Sequence, residues 1–263
     1  MISLLNAEKI KEQLKKGIDV FTFETVDSTN LLAKKSATKT DKDTLFIANH
    51  QTSGRGRMGR TFLSPENSGI YMSLLLHPQI NFEDYSLITT AAAVSVAKTL
   101  DKFSAVKTQI KWVNDIFLNG KKVCGILTEG AFKSSSDAFA VLGIGINLYE
   151  PEKGFEEEIK EIAGCVFEEK CDEQIKIKII AEVINNFYGF YENLPHKRFL
   201  PEYREKDMLL GKKINYVKNG KTYEAVATGI TDNLELKVVD ALKNETLLST
   251  GEVTIGSGKR PNE

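Results

Sequence analysis

Histidine, cysteine and tryptophan are scarce in this chain: three, three and one in 263 residues. Cys124, Cys165 and Cys171 are irregularly spaced and lack the pairing of metal ligands. They build neither a disulfide framework nor a thiolate metal site, and a reduced, cytoplasmic protein is the plain reading. His50, His77 and His196 are scattered, so no histidine-based nucleophilic site is expected. No apolar run approaches the ~20 residues that span a bilayer. The start, MISLLNAEKIKEQLKK, has no basic segment followed by an apolar one, which excludes a signal peptide and leaves a short amphipathic helix. A formal net charge of −1 draws the molecule neither to nucleic acid nor to an anionic membrane. Internal repeats and low-complexity linkers are lacking too.

What is present is ordinary for a folded protein, 41% hydrophobic and 27% charged. The length suits one large domain and one small one. Helices are expected over 6–16, stopped by Gly17, over 31–35, 84–100 and 172–193, the last ending at Pro195. Strands are expected over 20–25, 45–48, 70–76, 109–112, 115–118, 123–129 and 139–147. Asn119–Gly120 is a hairpin turn between the fifth and sixth of these. From Leu209 the pattern changes to short strands with turns at Asn219–Gly220 and Asp232–Asn233. The expected architecture is therefore α+β, a mixed or antiparallel sheet with flanking helices over 1–207, followed by a compact β-barrel over 208–263. The strands mostly do not alternate with long helices, which argues against a doubly wound fold.

Residues 51–60, QTSGRGRMGR, form a glycine-rich basic loop. Gly54-Arg55-Gly56-Arg57-Met58-Gly59 fits both G-x-G-x-x-G and, with Arg60 in place of lysine, a P-loop. Both motifs need a helix directly after the loop. Thr61-Phe62-Leu63-Ser64-Pro65 is not a helix start, so both are rejected. The loop still favours an anion. Arg55, Arg57 and Arg60 lie within six residues, no acid occurs from Gln51 to Ser64, and glycines let backbone N–H groups approach a ligand. The alternative is a solvated surface loop. Nucleic-acid binding by such a loop would need interleaved aromatics, which are absent.

The loop has company. Asp27-Ser28-Thr29-Asn30, Gln51, the loop itself, Lys111-Trp112-Val113-Asn114-Asp115 with Lys122-Val123-Cys124-Gly125-Ile126-Leu127, and Gly143-Ile144-Gly145-Ile146-Asn147 follow one another in an order that resembles the biotin–protein ligase family. The resemblance covers roughly 20–255. It departs from the family at Val113, where proline is usual, and at Asp232-Asn233-Leu234, which lacks an expected glycine. It implies a class II synthetase-like catalytic domain and an SH3-like C-terminal barrel. Fewer than 20 residues precede the first strand, too few for a helix-turn-helix domain, so the resemblance is to the monofunctional type.

The activity so implied is adenylation of biotin by ATP, followed by transfer to a lysine of a biotin carboxyl carrier protein. ATP and Mg2+ would form a substrate complex with biotin as co-substrate and no permanently bound cofactor. Nucleic-acid and membrane partners are not expected; a homodimer is left open, and metal ligands are unknown. Ser28, Thr29, Asn30 and Gln51 would meet the ureido head of biotin, whose donors and acceptors must be paired when buried. Helix capping is the alternative for Ser28 and Thr29. Arg55, Gly56, Arg57 and Lys122 would bring the biotin carboxylate to the α-phosphate, two anions that cations must bridge. Catalysis is carried by Lys122 and Arg57. Asp115 would orient Lys122 or a magnesium shell, with a strand-edge salt bridge as the alternative. Asn147 would read the adenine edge, with strand-end capping as the alternative, and Gly143 and Gly145 would let the adenine lie close. Phe62 is read equally as cover for the adenylate or as core, and Trp112 as core. Ligation of lipoate or octanoate, and non-catalytic biotin sensing, are the rival functions.

Overall fold

The computed structural model describes residues 5–77, 85–131, 138–218 and 220–256. Seven strands form one mixed sheet in the order β1-β2-β3-β7-β6-β5-β4. They are β1 (Asp19–Val26), β2 (Thr44–Gln51), β3 (Gly69–Leu76), β4 (Gln109–Lys111), β5 (Asp115–Leu118), β6 (Lys121–Ala131) and β7 (Phe139–Asn147). Only β1 and β2 run parallel; their crossover carries α2 (Thr29–Ser36). The remaining pairs are antiparallel.

Strand periodicity divides this sheet into two faces. On one, Leu45, Ile47, Leu74, Leu76, Ala140 and Leu142 pack in the main core with α3 (Tyr85–Leu100) and α4 (Glu173–Tyr191). α3 buries residues all round, as a helix lying between a sheet and a second helix must. The other face is covered by α2 through a small cluster of Ala33, Phe46, Leu75 and Val141. Beyond that cluster its side chains shrink to Ser73, Gly143, Gly145 and Gly125, and the face opens into a cleft.

A second, antiparallel sheet runs β11-β10-β9-β8-β12. Its strands are β8 (Lys213–Lys218), β9 (Lys221–Ile230), β10 (Leu236–Val239), β11 (Glu245–Leu248) and β12 (Val253–Ile255). Among the described residues β11 and β12 are the two ends of its pairing order. Ile214, Leu236 and Val238 share one apolar core with the first sheet. Leu234 takes the left-handed conformation, φ 65°, that a glycine would adopt in the turn. Such a backbone is strained by about 1–3 kcal/mol. It is held by burial of the Leu234 side chain and by its carbonyl, which accepts the Trp112 indole N–H at 2.9 Å.

Several expectations need correction. The first helix, α1, spans only Ala7–Lys11, capped by the Asn6 side chain, and does not reach Gly17. Pro195 lies inside a 3-10 turn, Leu194–His196, and α5 (Leu200–Glu205) follows; neither element has a marked apolar period. Asp84, expected to open α3, and Asn219, expected in a turn, lie outside the described residues. The Trp112–Val113 peptide bond is cis.

Candidate functional site

One row of cross-strand neighbours lays out the floor of the cleft. Tyr71 of β3 pairs with Gly145, Gly145 with Gly125, Gly125 with Asp115, and Asp115 with Lys111. Paired residues in antiparallel strands share a face, so all five point to the cleft side. Phe62, arriving from the loop, lies on the two glycines. A Cβ on Gly145 would sit 2.4 Å from its ring, and one on Gly125 3.1 Å. Its ring also meets Tyr71 edge-on, centroids 6.4 Å apart. The Gly143 gap is filled differently, by Asn30, whose Oδ1 would lie 2.2 Å from an added Cβ. Gly143 and Gly145 therefore make room for the side chains of Asn30 and Phe62 in this structure.

The polar end of the cleft is a closed network around the N-terminus of α2. Ser28 occupies the cap position, yet its side chain makes no capping bond. Gln51 caps instead: its Oε1 accepts from the Thr29 N–H at 2.8 Å and from the Thr29 hydroxyl at 3.0 Å. The Gln51 amide then donates to Ser64 at 2.8 Å. Ser73, the single polar residue of GIYMSLLL, bonds Thr29 Oγ1 and Asn30 Oδ1 at 2.7 and 2.6 Å. The Asn30 amide donates to Glu129 at 2.8 Å, and Lys34 pairs with the same carboxylate at 2.5 Å. Burial pushes the Glu129 carboxyl up, but the bonds from Lys34 and Asn30 and the nearby Arg55 charge outweigh it and hold the group below its ordinary range. Ser28, Thr29 and Asn30 are all buried.

The cationic end gathers parts distant in sequence. A β-bulge in β6 pairs Phe117 with Lys122 and Ile116 with Cys124, leaving Val123 extra. Without it, Lys122 and Gly125, three residues apart, would face opposite sides of the sheet. The Lys122 backbone is clamped by residues 162–164: its N–H donates to the Ile162 carbonyl, and its carbonyl accepts from Gly164. Its Nζ lies 2.7 Å from Asp115 Oδ1, an ion pair without the alignment of a directed hydrogen bond. Arg57 donates to Asn114 at 3.0 Å and to the Gly251 carbonyl at 3.3 Å. Arg60 pairs with Glu252 at 2.5 Å. Arg55 stands 3.9 Å from Glu129, and Gly56 lines the wall.

The structure thus brings Ser28, Thr29, Asn30, Gln51, Arg55, Gly56, Arg57, Asp115 and Lys122 to one cleft. Asn147 does not line it. Its amide donates to Gly164 at 3.1 Å, where 164–167 cover the end of β7, which is the strand-end role. Trp112 is buried as expected but also reaches the cleft wall. Sequence reasoning overlooked Ser73, Glu129 and Glu252, and gave Asn114 no role. For Ser73 the signal existed, a lone polar residue in an apolar strand; Glu252 carried none, because its partner Arg60 lies far away in sequence. Among the described residues, no three His, Cys, Asp or Glu side chains group to hold a metal, and no helix is long and apolar enough to cross a membrane.

An α+β fold carries here a cleft that runs from a buried, donor-and-acceptor pocket past a glycine floor to a cluster of cations, the concave form of a small-molecule site. Residues 22–147 match the model of the Biotin/lipoate A/B protein ligase family. The bifunctional ligase/repressor BirA of Bacillus spizizenii is 36% identical over 60% of this chain. The match spans about half of that relative's length, 49%. The biotin–[acetyl-CoA-carboxylase] ligase of Mycobacterium tuberculosis is 23% identical over 90% of this chain and 88% of its own. Among solved structures, the biotin protein ligase of Aquifex aeolicus in complex with biotin and ATP superposes with a TM-score of 0.71 at 26% identity, covering 90% of this chain and 98% of that one.

Proposed function

We propose that this protein is a biotin–protein ligase, which adenylates biotin with ATP and transfers it to a lysine of a biotin carboxyl carrier protein. The observation that carries the reading is the continuity of the cleft: the Thr29–Gln51 network, the Gly145–Gly125 floor and the Asp115–Lys122 pair line one cavity. Ser28, whose side chain is spared from capping, is available to the ureido group, with Thr29, Asn30 and Gln51 behind it. Rings would lie on the floor beside Phe62. The carboxylate would reach Arg55, the Gly56 backbone, Arg57 and Lys122.

Magnesium would arrive with ATP, and Asp115 and Glu252 are the carboxylates that line the cleft. In the first step a carboxylate oxygen bonds to the α-phosphorus and pyrophosphate leaves. Arg57 and Lys122 oppose the charge that gathers there. In the second step the acceptor amine attacks the carbonyl carbon of the mixed anhydride, an amide forms, and AMP departs. Asn147 would meet adenine through its amide oxygen, since the amide nitrogen serves Gly164. Residues 1–207 would form the catalytic domain and 208–263 its companion, in a cytoplasm that keeps the three free cysteines reduced.

The test is pyrophosphate release with biotin, ATP and Mg2+, with lipoate in parallel. Release with biotin alone is expected. Release with lipoate and none with biotin would move the protein to the other branch of its family, and release with neither acid would overturn the enzyme.

A further inference from the structure

Two cations of the cleft, Arg60 and Lys111, have no part in the roles above, and Arg60 is paired with Glu252. Lys111 ends β4 and pairs across the strands with Asp115, in register with Gly125, Gly145 and Tyr71. Its side chain is half-buried and lines the same cleft. We propose that Lys111 is a second phosphate-binding residue, holding the pyrophosphate end of the nucleoside triphosphate while Lys122 serves the α-phosphate. The inference rests on the adenylation reading and names a residue for its leaving group.

Two independent features point there. The first is partnering. Arg57 is engaged by Asn114 and Gly251, Arg60 by Glu252 and Lys122 by Asp115, and Arg55 stands beside Glu129. Lys111 alone among these cleft cations has no hydrogen bond or ion pair to a described residue. A partly desolvated ammonium without a partner is costly, and such groups persist where a ligand supplies the missing charge. Lys111 can receive a phosphate without loosening any contact to a described residue.

The second feature is position. The charges that act on Lys111 are Asp115 and Lys122 on one side and Glu252 and Arg60 from the second sheet and the loop on the other. Burial, then the repulsion of Lys122 and Arg60, holds the ammonium below the ordinary lysine range, while Asp115 and Glu252 pull it back. Lys111 also stands three strand spacings from Gly145, roughly 14 Å along the floor. A ligand whose rings lie beside Phe62 and whose carboxylate meets Lys122 has its phosphate chain directed onward to Lys111.

The chemistry needs a cation at that place. As the carboxylate oxygen bonds to the α-phosphorus, the bond from that phosphorus to the bridging oxygen breaks. The electron pair stays on that oxygen, and the departing pyrophosphate gains negative charge that an ammonium stabilises.

Lys111→Met keeps the apolar stem and removes the charge; Lys111→Arg restores a cation; Lys107→Met, an exposed neighbour outside the cleft, is the control. Lys111→Met should slow adenylate formation from biotin and ATP on the order of 100-fold. Lys111→Arg should recover part of that loss. Transfer from supplied biotinyl-adenylate to an acceptor should stay near the native rate, since no pyrophosphate takes part. Native adenylation in Lys111→Met, or equal losses in both half-reactions, overturns the assignment. If the wild type does not adenylate biotin at all, the functional reading falls separately. Binding of magnesium pyrophosphate by titration calorimetry, lost in Lys111→Met and kept in the control, then decides the role of Lys111. Should Lys111→Met not fold, acylation of Lys111 in the wild type by an amine reagent decides: protection by magnesium pyrophosphate is expected, and equal labelling with and without it overturns the proposal.

Discussion

At the scale of single residues, the cleft separates groups that act on ligand from groups that hold them. Lys122 stands on a bulged strand and is clamped through its backbone, so its side chain is not what keeps the strand in place. Lys122→Ala should lower adenylation on the order of 100- to 1000-fold while biotin binding and melting temperature change little. Lys121, whose ammonium reaches the Lys160 carbonyl on the surface, supplies the control variant Lys121→Ala. Equal losses in the two variants, or near-native turnover in Lys122→Ala, would remove Lys122 from the reaction. Glu129 belongs to the second group. Its carboxyl is held below the ordinary range, so the stability it confers is present above the unfolded carboxyl pKa of about 4.3 and is lost as pH falls through the depressed folded value. Glu129→Gln should therefore show a shallower loss of melting temperature on acidification than the wild type. Parallel curves would mean that the Lys34–Glu129–Asn30 links carry no charge-dependent stability.

At the scale of elements, the arginine-rich segment is a loop closed by short bridges, Gln51 with Ser64 and Arg55 with Thr61. It is latched to the second sheet by Arg60–Glu252 and Arg57–Gly251. Met58 at its tip has φ 54° and is largely exposed, and three like charges repel along it. Few apolar contacts hold such a segment, and opening it costs little compared with opening the sheet. Trypsin should cut after Arg55, Arg57 or Arg60 in the free protein and much more slowly with biotin and ATP present. Glu252→Gln, which removes the latch, should speed cutting of the free protein. Cutting that is indifferent to both ligand and latch would mean the loop is held by other means.

At the scale of the whole molecule, the two sheets share an apolar core and meet at the cleft. Trp112, the only tryptophan, lies at that junction, buried and bonded to Leu234 of the second sheet. Residues 206–208 also add to the edge of β4 through Ile110. Two units joined in this way should unfold together. Calorimetry should give one transition, coincident with the shift of Trp112 fluorescence, and biotin with ATP should raise it by mass action. Two separated transitions would make the second sheet an independent body.

Much of this was legible in residue order. The apolar strands and the long helix show in their periods, the Asn119–Gly120 hairpin in its turn chemistry, and the concentration of arginine and glycine at 54–60 in composition alone, because these signals are local. The residues that line the cleft stood out as well, since polar Ser28–Asn30, the basic loop and Lys122 are chemically distinct wherever they lie. The short elements at 194–205 carried no marked period, and α1 ended where tertiary contacts, not Gly17, stopped it. The tertiary structure alone decided which face each glycine serves, that Gln51 and not Ser28 caps α2, that a bulge turns Lys122 toward Gly125, that the Asn147 amide nitrogen donates to Gly164, and that Glu252 returns from the far end of the chain to meet Arg60. Each of those outcomes depends on register and on contacts between residues far apart in sequence. A one-residue slip reverses a strand's faces, and no local pattern contains the position of a partner a hundred residues away.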